Sequence, residues 1–500
     1  MKRIYRASFC LLFCLFSISA LAQSKADALI KQLNLMFKHK NADTLQSSLS
    51  ADFSIAAYTM PYAQKLLETI VAHYPCDSVQ LQSEGKQDKL IRLNVIPYNK
   101  GKADKAQVYM VDEQYKLCYA APFDALYGMN RDQVSKLRAK IPFELDNGSI
   151  ILSIRLNNQT KPLKMLFDTG ADGMAITKAK ADSLGIKANR SQNASVVGGN
   201  LQIVVSEGNT VMLDTFVFKN QSIALFPEVK GNYDGIIGNA MAKRYITHVD
   251  FDKKELSLYD FGDYQYRDKG ISVPVTLPNG LFIITGVLGV GNGPLAEGNF
   301  VFDTGAAYSL ICFRPFVKQH KLLVNGFKSE YHGSTTSMGI TTPTYSGRAA
   351  SFAFRNMPKL LNYPVTLMAG GGQSENWNPG FDGSIGVRTI SRYNFTINMQ
   401  AKEIHFVPNS SINHPYDFVL GNYLFGFDNA GGLSVLAIVK PTENATLQVK
   451  QRIYAINGVS ASILLNNAKQ LEALLALQAG SPISLNINAS DPKQTIILNK

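Results

Sequence analysis

Apolar and polar positions divide the chain into stretches of different texture. In "ADALIKQLNLMFKHK" and "PYAQKLLETIVAHY" the apolar residues recur at helical spacing, and Pro61 suits a first helical turn. The next four runs, "DSVQLQSEG", "KLIRLNVIPY", "KAQVYMVDE" and "YKLCYAAP", alternate instead and are separated by polar turns. Residues 23–128 therefore read as a small α+β domain with an antiparallel sheet. "MNRDQVSKLRAK", residues 129–140, reads as a linking helix. From Ile141 to Val407 short alternating strands follow one another between Asn, Gly and Asp turns, so the chain is mainly β. From about Asn409 the order becomes strand, strand, strand, helix, strand, a small mixed domain over 409–500.

The β region repeats itself. "FDTGA" stands at Phe167–Ala171 and again at Phe302–Ala306. Asp234–Tyr259 aligns without gaps to Asp382–Val407, with eight of 26 positions identical, beginning DG-x-I-G in both. Strands, FDTGA, a Gly-rich hairpin and the DG-x-I-G block come in the same order twice, which is a duplicated domain with halves 141–265 and 266–408.

Composition changes this picture at the N-terminus. "MKRIYR" precedes the apolar "ASFCLLFCLFSIS" and Ala20-Leu21-Ala22, the pattern of a signal peptide over residues 1–22. The apolar run falls short of a spanning helix, and no later segment is long and apolar enough to be one. The expectation is an exported protein of the periplasm, cell envelope or extracellular space, with no transmembrane segment once the signal is removed. The net charge of +12 is scattered without basic blocks, which argues against nucleic-acid binding. Five cysteines and seven histidines show no metal-binding spacing, so no metal or cofactor is expected. Cys76 and Cys118 either pair or stay as free thiols, and Cys312 reads as a small buried apolar residue.

The doubled Asp-Thr-Gly carries the candidate chemistry. Asp168 and Asp303 supply carboxyls. Gly170 and Gly305 let backbone approach them, and Thr169 and Thr304 can hydrogen-bond across a symmetric interface. Two carboxyls at contact distance share one proton, which suits them to acid–base hydrolysis through a bound water. On these residues, region 141–407 resembles the aspartic protease superfamily, with retropepsin-type halves fused in one chain. Ile236-Ile237-Gly238 matches that family's apolar-apolar-Gly block, and Ser384-Ile385-Gly386 matches it less well.

The resemblance implies a two-lobed, pseudo-twofold β fold forming one active site within a single chain, with Asp168 and Asp303 as the catalytic pair. It also implies a supporting loop of Thr169, Gly170, Ala171, Thr304, Gly305 and Ala306. Hairpins around Gly198-Gly199 and Gly333 serve either as flaps or as plain turns. Tyr331, Met338 and Trp377 are candidates to line the cleft. Both motifs end in Ala171 and Ala306, without the hydroxyl that would lower a neighbouring carboxyl's pKa, so a mildly acidic to neutral optimum is expected.

Phe425-Gly426-Phe427 and "QRIYAINGVS" resemble a PDZ domain, although Lys450-Gln451 stands where Gly-Asp is usual. That resemblance implies a carboxylate-binding loop at Phe425-Gly426-Phe427 and a C-terminal peptide as ligand. The leading function is an aspartic endopeptidase acting on a polypeptide substrate. The alternatives are a non-catalytic peptide-binding protein and a scaffold whose N-terminal domain, loosely similar to the NTF2-like cone, mediates assembly or gates the cleft.

Overall fold

The computed structural model describes residues 24–227, 232–337, 339–371, 375–440, 446–491 and 494–500; residues 1–22, where a signal peptide is expected, and Met338 lie outside them. Among the described residues no helix is long and apolar enough to cross a membrane. The fold is mainly β, with 46% strand and 15% helix. The described residues divide into two compact units, one of residues 24–135 with Asp260–Tyr264 and Thr276–Gly280, the other of the remainder.

In the first unit, α1 (Ser24–His39) and α2 (Tyr62–His73) precede an antiparallel sheet of β1 (Ser78–Gln87), β2 (Leu90–Asn99), β3 (Gln107–Val111) and β4 (Leu117–Ala120), paired in that order. The helices bury Leu33, Phe37, Leu67 and Val71 against Leu93, Val95 and Tyr109 of the sheet. Cys76 and Cys118 are both buried free thiols, as is Cys312.

The helix expected over 129–140 does not form. Its hydrogen bonds go to a distant stretch of chain instead: Gln133 Nε2 donates to the Phe261 carbonyl at 2.7 Å and Ser135 Oγ to that of Asp260 at 2.7 Å. Arg131 Nε pairs with the buried Asp124 at 2.6 Å. From Leu137 the chain is already strand.

The second unit opens with the first repeat. Its strands are β5 (Leu137–Asp146), β6 (Ser149–Leu156), β7 (Leu163–Phe167), β8 (Met174–Thr177), β9 (Arg190–Val196), β10 (Gly199–Leu213), β11 (Phe216–Phe226), β12 (Gly235–Ile237), β13 (Ile246–Asp250) and β14 (Glu255–Tyr259). The second repeat comprises β15 (Ile271–Pro274), β16 (Ile283–Gly289), β17 (Ala296–Phe302), β18 (Leu310–Cys312), β19 (Ser329–Ser337), β20 (Ile340–Phe354), β21 (Leu360–Met368), β22 (Gly383–Ile385), the short α3 (Val387–Ile390), β23 (Tyr393–Asn398) and β24 (Glu403–Pro408).

The repeats pair in the same register. Strand β7 runs parallel to β12 with Phe167 beside Ile237, and β17 runs parallel to β22 with Phe302 beside Ile385. One strand ladder, β5-β14-β13-β23-β24-β15, joins the two. At its centre Thr247 faces Ile397, His248 faces Thr396 and Val249 faces Phe395. His248 and Thr396 hold the same place in the aligned blocks, so a local twofold axis passes through this pair.

The C-terminal stretch has its own apolar cluster, centred on Phe425, Val435, Ile453, Leu471 and Leu485. Strands β25 (Phe418–Leu420), β26 (Tyr423–Phe427), β27 (Leu433–Ile438) and β28 (Arg452–Ile453) form one sheet. Helix α4 (Ala468–Leu475) precedes β29 (Pro482–Asn486), which pairs with β30 (Thr495–Asn499).

Candidate active site

Each Asp-Thr-Gly follows a strand that is buried because its sequence is apolar. Phe167 and Phe302 are both 0% exposed. Past each Phe the backbone leaves the sheet, still tied to the DG-x-I-G strand: Asp168 N donates to the Ile237 carbonyl and Asp303 N to that of Ile385, each at 3.0 Å. Residues after the block hold the far side of each loop. Asn239 N donates to the Ala171 carbonyl at 3.0 Å, and Val387 N to that of Ala306 at 2.8 Å. The glycines of the block are obligatory, since a Cβ at Gly238 would stand 2.4 Å from the Ala171 carbonyl oxygen and one at Gly386 2.7 Å from that of Ala306.

The two loops interlock. Thr169 N donates to Thr304 Oγ1 and Thr304 N to Thr169 Oγ1, both at 3.0 Å. Each hydroxyl in turn donates across to the other strand's last carbonyl, Thr169 Oγ1 to Phe302 O at 2.6 Å and Thr304 Oγ1 to Phe167 O at 2.7 Å. Both threonines are 0% exposed, so these four bonds are shielded from competing water. They bring together residues 135 apart in sequence. The interlock sets the Asp168 carboxyl against Gly305 and the Asp303 carboxyl against Gly170, close enough for the two carboxyls to interact directly.

The carboxyls are not equivalent. Asp168 accepts from Gly170 N at 2.9 Å. Asp303 accepts from Gly305 N at 3.0 Å and from Ala306 N at 3.1 Å, and the nearby Ser384 hydroxyl favours its charged form. Position 384 corresponds to Ile236 in the first repeat, where Ala175, Ile203, Val205 and Phe226 make the surroundings apolar. Removal from water raises both carboxyls above the ordinary aspartate value. The charge of Asp303 raises Asp168 further, whereas the donors around Asp303 hold it back. These causes favour Asp168 as the member that keeps the shared proton. Ser384 was legible as a mismatch in the repeat, the one hydroxyl in an otherwise apolar-Gly block, but its target was not.

The hairpins fall partly where expected. Strands β9 and β10 meet at a turn of Val197-Gly198, and Gly198 takes φ +93°, a conformation costly for other residues. Gly198 and Gly199 are buried because the tip is docked. Val197 packs on the cluster of Phe313, Met368 and Trp377, and Trp377 Nε1 donates to Ser195 Oγ at 3.3 Å. Trp377 is thus a packing residue beneath the hairpin. Gly333 is not at a tip. It sits within β19 opposite Thr344, and the strand pairing runs on past it to Ser337 and Ile340.

Phe425-Gly426-Phe427 is likewise strand, not loop. Its alternation buries both rings in β26, and the bare Gly426 makes room for an ion pair: a Cβ there would stand 2.3 Å from Asp417 Oδ1 and 2.7 Å from Arg388 Nη2. No group of His, Cys, Asp and Glu suited to a metal ion occurs among the described residues.

In comparisons with known proteins, the family model described as Aspartyl protease matches residues 152–241. The match contains the first Asp-Thr-Gly and the first DG-x-I-G block, so this stretch is similar to the aspartyl protease family. No curated protein matches the chain.

Proposed function

We propose that this chain is an exported, single-chain aspartic endopeptidase whose two repeats form one active site around Asp168 and Asp303. The reciprocal Thr169–Thr304 exchange carries the reading, since it joins two carboxyls into one proton-sharing pair. Asp303, with two backbone donors and the Ser384 hydroxyl nearby, is the ionised member. As a water oxygen bonds to the peptide carbonyl carbon, Asp303 takes the water's proton and Asp168 gives its own to the carbonyl oxygen. Collapse of the resulting diol breaks the C–N bond. The proton on Asp303 passes to the leaving nitrogen, and a diol proton returns to Asp168. The C-terminal stretch is proposed as a PDZ-like module for substrate or partner binding, supported by its strand and helix order. Residues 24–128 are proposed as a separate α+β domain.

The test is cleavage of an extended-peptide library by the chain lacking its first 22 residues, across roughly pH 3 to 8, beside Asp168→Asn and Asp303→Asn. Cutting by the parent and loss in both variants supports the pair. Peptide binding without cutting rejects the peptidase reading in favour of a binding groove.

A further inference from the structure

A cavity of about 660 Å³ opens at Gly305 and Ala307–Leu310, beside the second Asp-Thr-Gly loop, and its opposite wall is the C-terminal sheet. That wall comprises Leu424 of β26 and Leu436–Ile438 of β27, continuing to Val439. Two strand edges face this space. Strand β19 is the last strand of its sheet, and its residues Glu330–Ser334 line the cavity. Strand β27 pairs with β28 only at Leu433 and Ser434, so beyond Val435 no strand covers its outer edge among the described residues.

The charges around the cavity are paired: Lys450 with Asp146 at 2.6 Å, Arg348 with Glu330 at 3.1 Å, and Arg388 Nε with Asp417 at 2.9 Å. What remains for a ligand is apolar and aromatic side chains, among them Leu166, Tyr308 and Leu436, with His332, the amide of Asn147, hydroxyls such as those of Ser334 and Thr344, and backbone edges. Such a surface recognises an extended, uncharged polypeptide segment by strand addition.

We propose, building on the peptidase reading, that β27 is a wall of the substrate cleft. An apolar segment flanking the scissile bond runs from the Asp-Thr-Gly loops between the edges of β19 and β27. The continuity of the cavity with the Gly305 loop identifies this occupant as the substrate chain itself. The consequence is selection by length, with long unfolded segments preferred to short peptides.

The experiment compares two uncharged peptides sharing one scissile core, about six residues against about twelve, with the full chain, Ala437→Trp and Ala437→Ser. Ala437→Trp fills the cavity beside the free edge, whereas Ala437→Ser keeps its size and controls for folding. The parent and Ala437→Ser should favour the long peptide in kcat/KM by about tenfold or more, and Ala437→Trp should abolish that ratio. Anisotropy with labelled peptides on Asp168→Asn, with and without Ala437→Trp, reads the same preference without chemistry. Cleavage with no length preference, or a ratio unmoved by Ala437→Trp, overturns the wall while leaving the peptidase reading intact. Length-dependent binding that Ala437→Trp abolishes, with no cleavage by the parent, upholds the wall and removes the peptidase. Absence of both rejects both.

Discussion

Gly305 lies against the carboxyl of Asp168, so closely that a Cβ on Gly305 would stand 2.2 Å from Asp168 Cγ. Gly170 stands in the same relation to Asp303, at 2.4 Å. Neither glycine is required for an unusual φ; each is required because the opposite carboxyl occupies the place of its side chain. Gly305→Ala must therefore move Asp168 or part the loops. A displacement near 1 Å at reacting groups costs on the order of 10²-fold in rate. We expect kcat/KM to fall by about that factor or more. A folded Gly305→Ala protein, verified by its melting curve, that cleaves at the parental rate would contradict the crossed arrangement.

Ser384 sets the asymmetry of the pair. Its hydroxyl stabilises the ionised form of Asp303, so Ser384→Ala raises the carboxyl that must be charged. The acid limb of the kcat/KM profile should move to higher pH, narrowing the bell from that side. The alkaline limb reports the proton kept by Asp168. Because burial raises both groups, the parental optimum should be mildly acidic to neutral. A maximum near pH 2–3 would contradict the raised carboxyls, and an acid limb that Ser384→Ala leaves in place would show that the hydroxyl does not act on Asp303.

Much of this site is legible in the residues themselves. The doubled pentapeptide and the aligned DG-x-I-G blocks point to a pseudo-symmetric pair because identical short sequences adopt identical registers, as Phe167 beside Ile237 and Phe302 beside Ile385 do. What escaped depends on long-range partners. Residues 129–140 carry helical spacing, but Gln133 and Ser135 spend their hydrogen bonds on Phe261 and Asp260. Gly426 resembles a loop glycine, yet its space is filled by Arg388 and Asp417, one of them 38 residues away. Gly333 stands out as a glycine among β-formers, but strand register, not composition, decides where a hairpin turns.

Asp168 gives the fold a pH-dependent weakness. Its pKa is raised on folding, so the native state binds a proton more tightly than the unfolded chain does. Below the ordinary aspartate range both states are protonated and nothing is lost. As pH rises from there to the raised native value, stability falls, by about 1.4 kcal/mol for each unit of the shift. Asp168→Asn removes that titration. It should melt above the parent at neutral pH, with the gap closing as the solution is acidified toward pH 4. Melting curves of the two proteins across this range check the sign, and a gap that widens in acid would reverse the assignment of the proton.

Trp377 is the only tryptophan in the chain, and it lies under the tip of the β9–β10 hairpin. It is 6% exposed, packs edge-on against Phe313 with ring centroids 5.0 Å apart, and donates to Ser195 of the hairpin. Its fluorescence therefore reports the hairpin's position without a label. Val197→Asp places a carboxylate against this apolar cluster. Burying it unpaired costs at least about 1–3 kcal/mol, which favours an undocked tip. We expect stronger acrylamide quenching of Trp377 in that variant. If the docked hairpin covers bound substrate, KM should rise by about tenfold with a smaller change in kcat, as the loss of uniform binding predicts. Ser195→Ala removes only the hydrogen bond and should give a weaker form of both effects. Quenching that stays at the parental level in Val197→Asp would mean that the tip does not shield the indole.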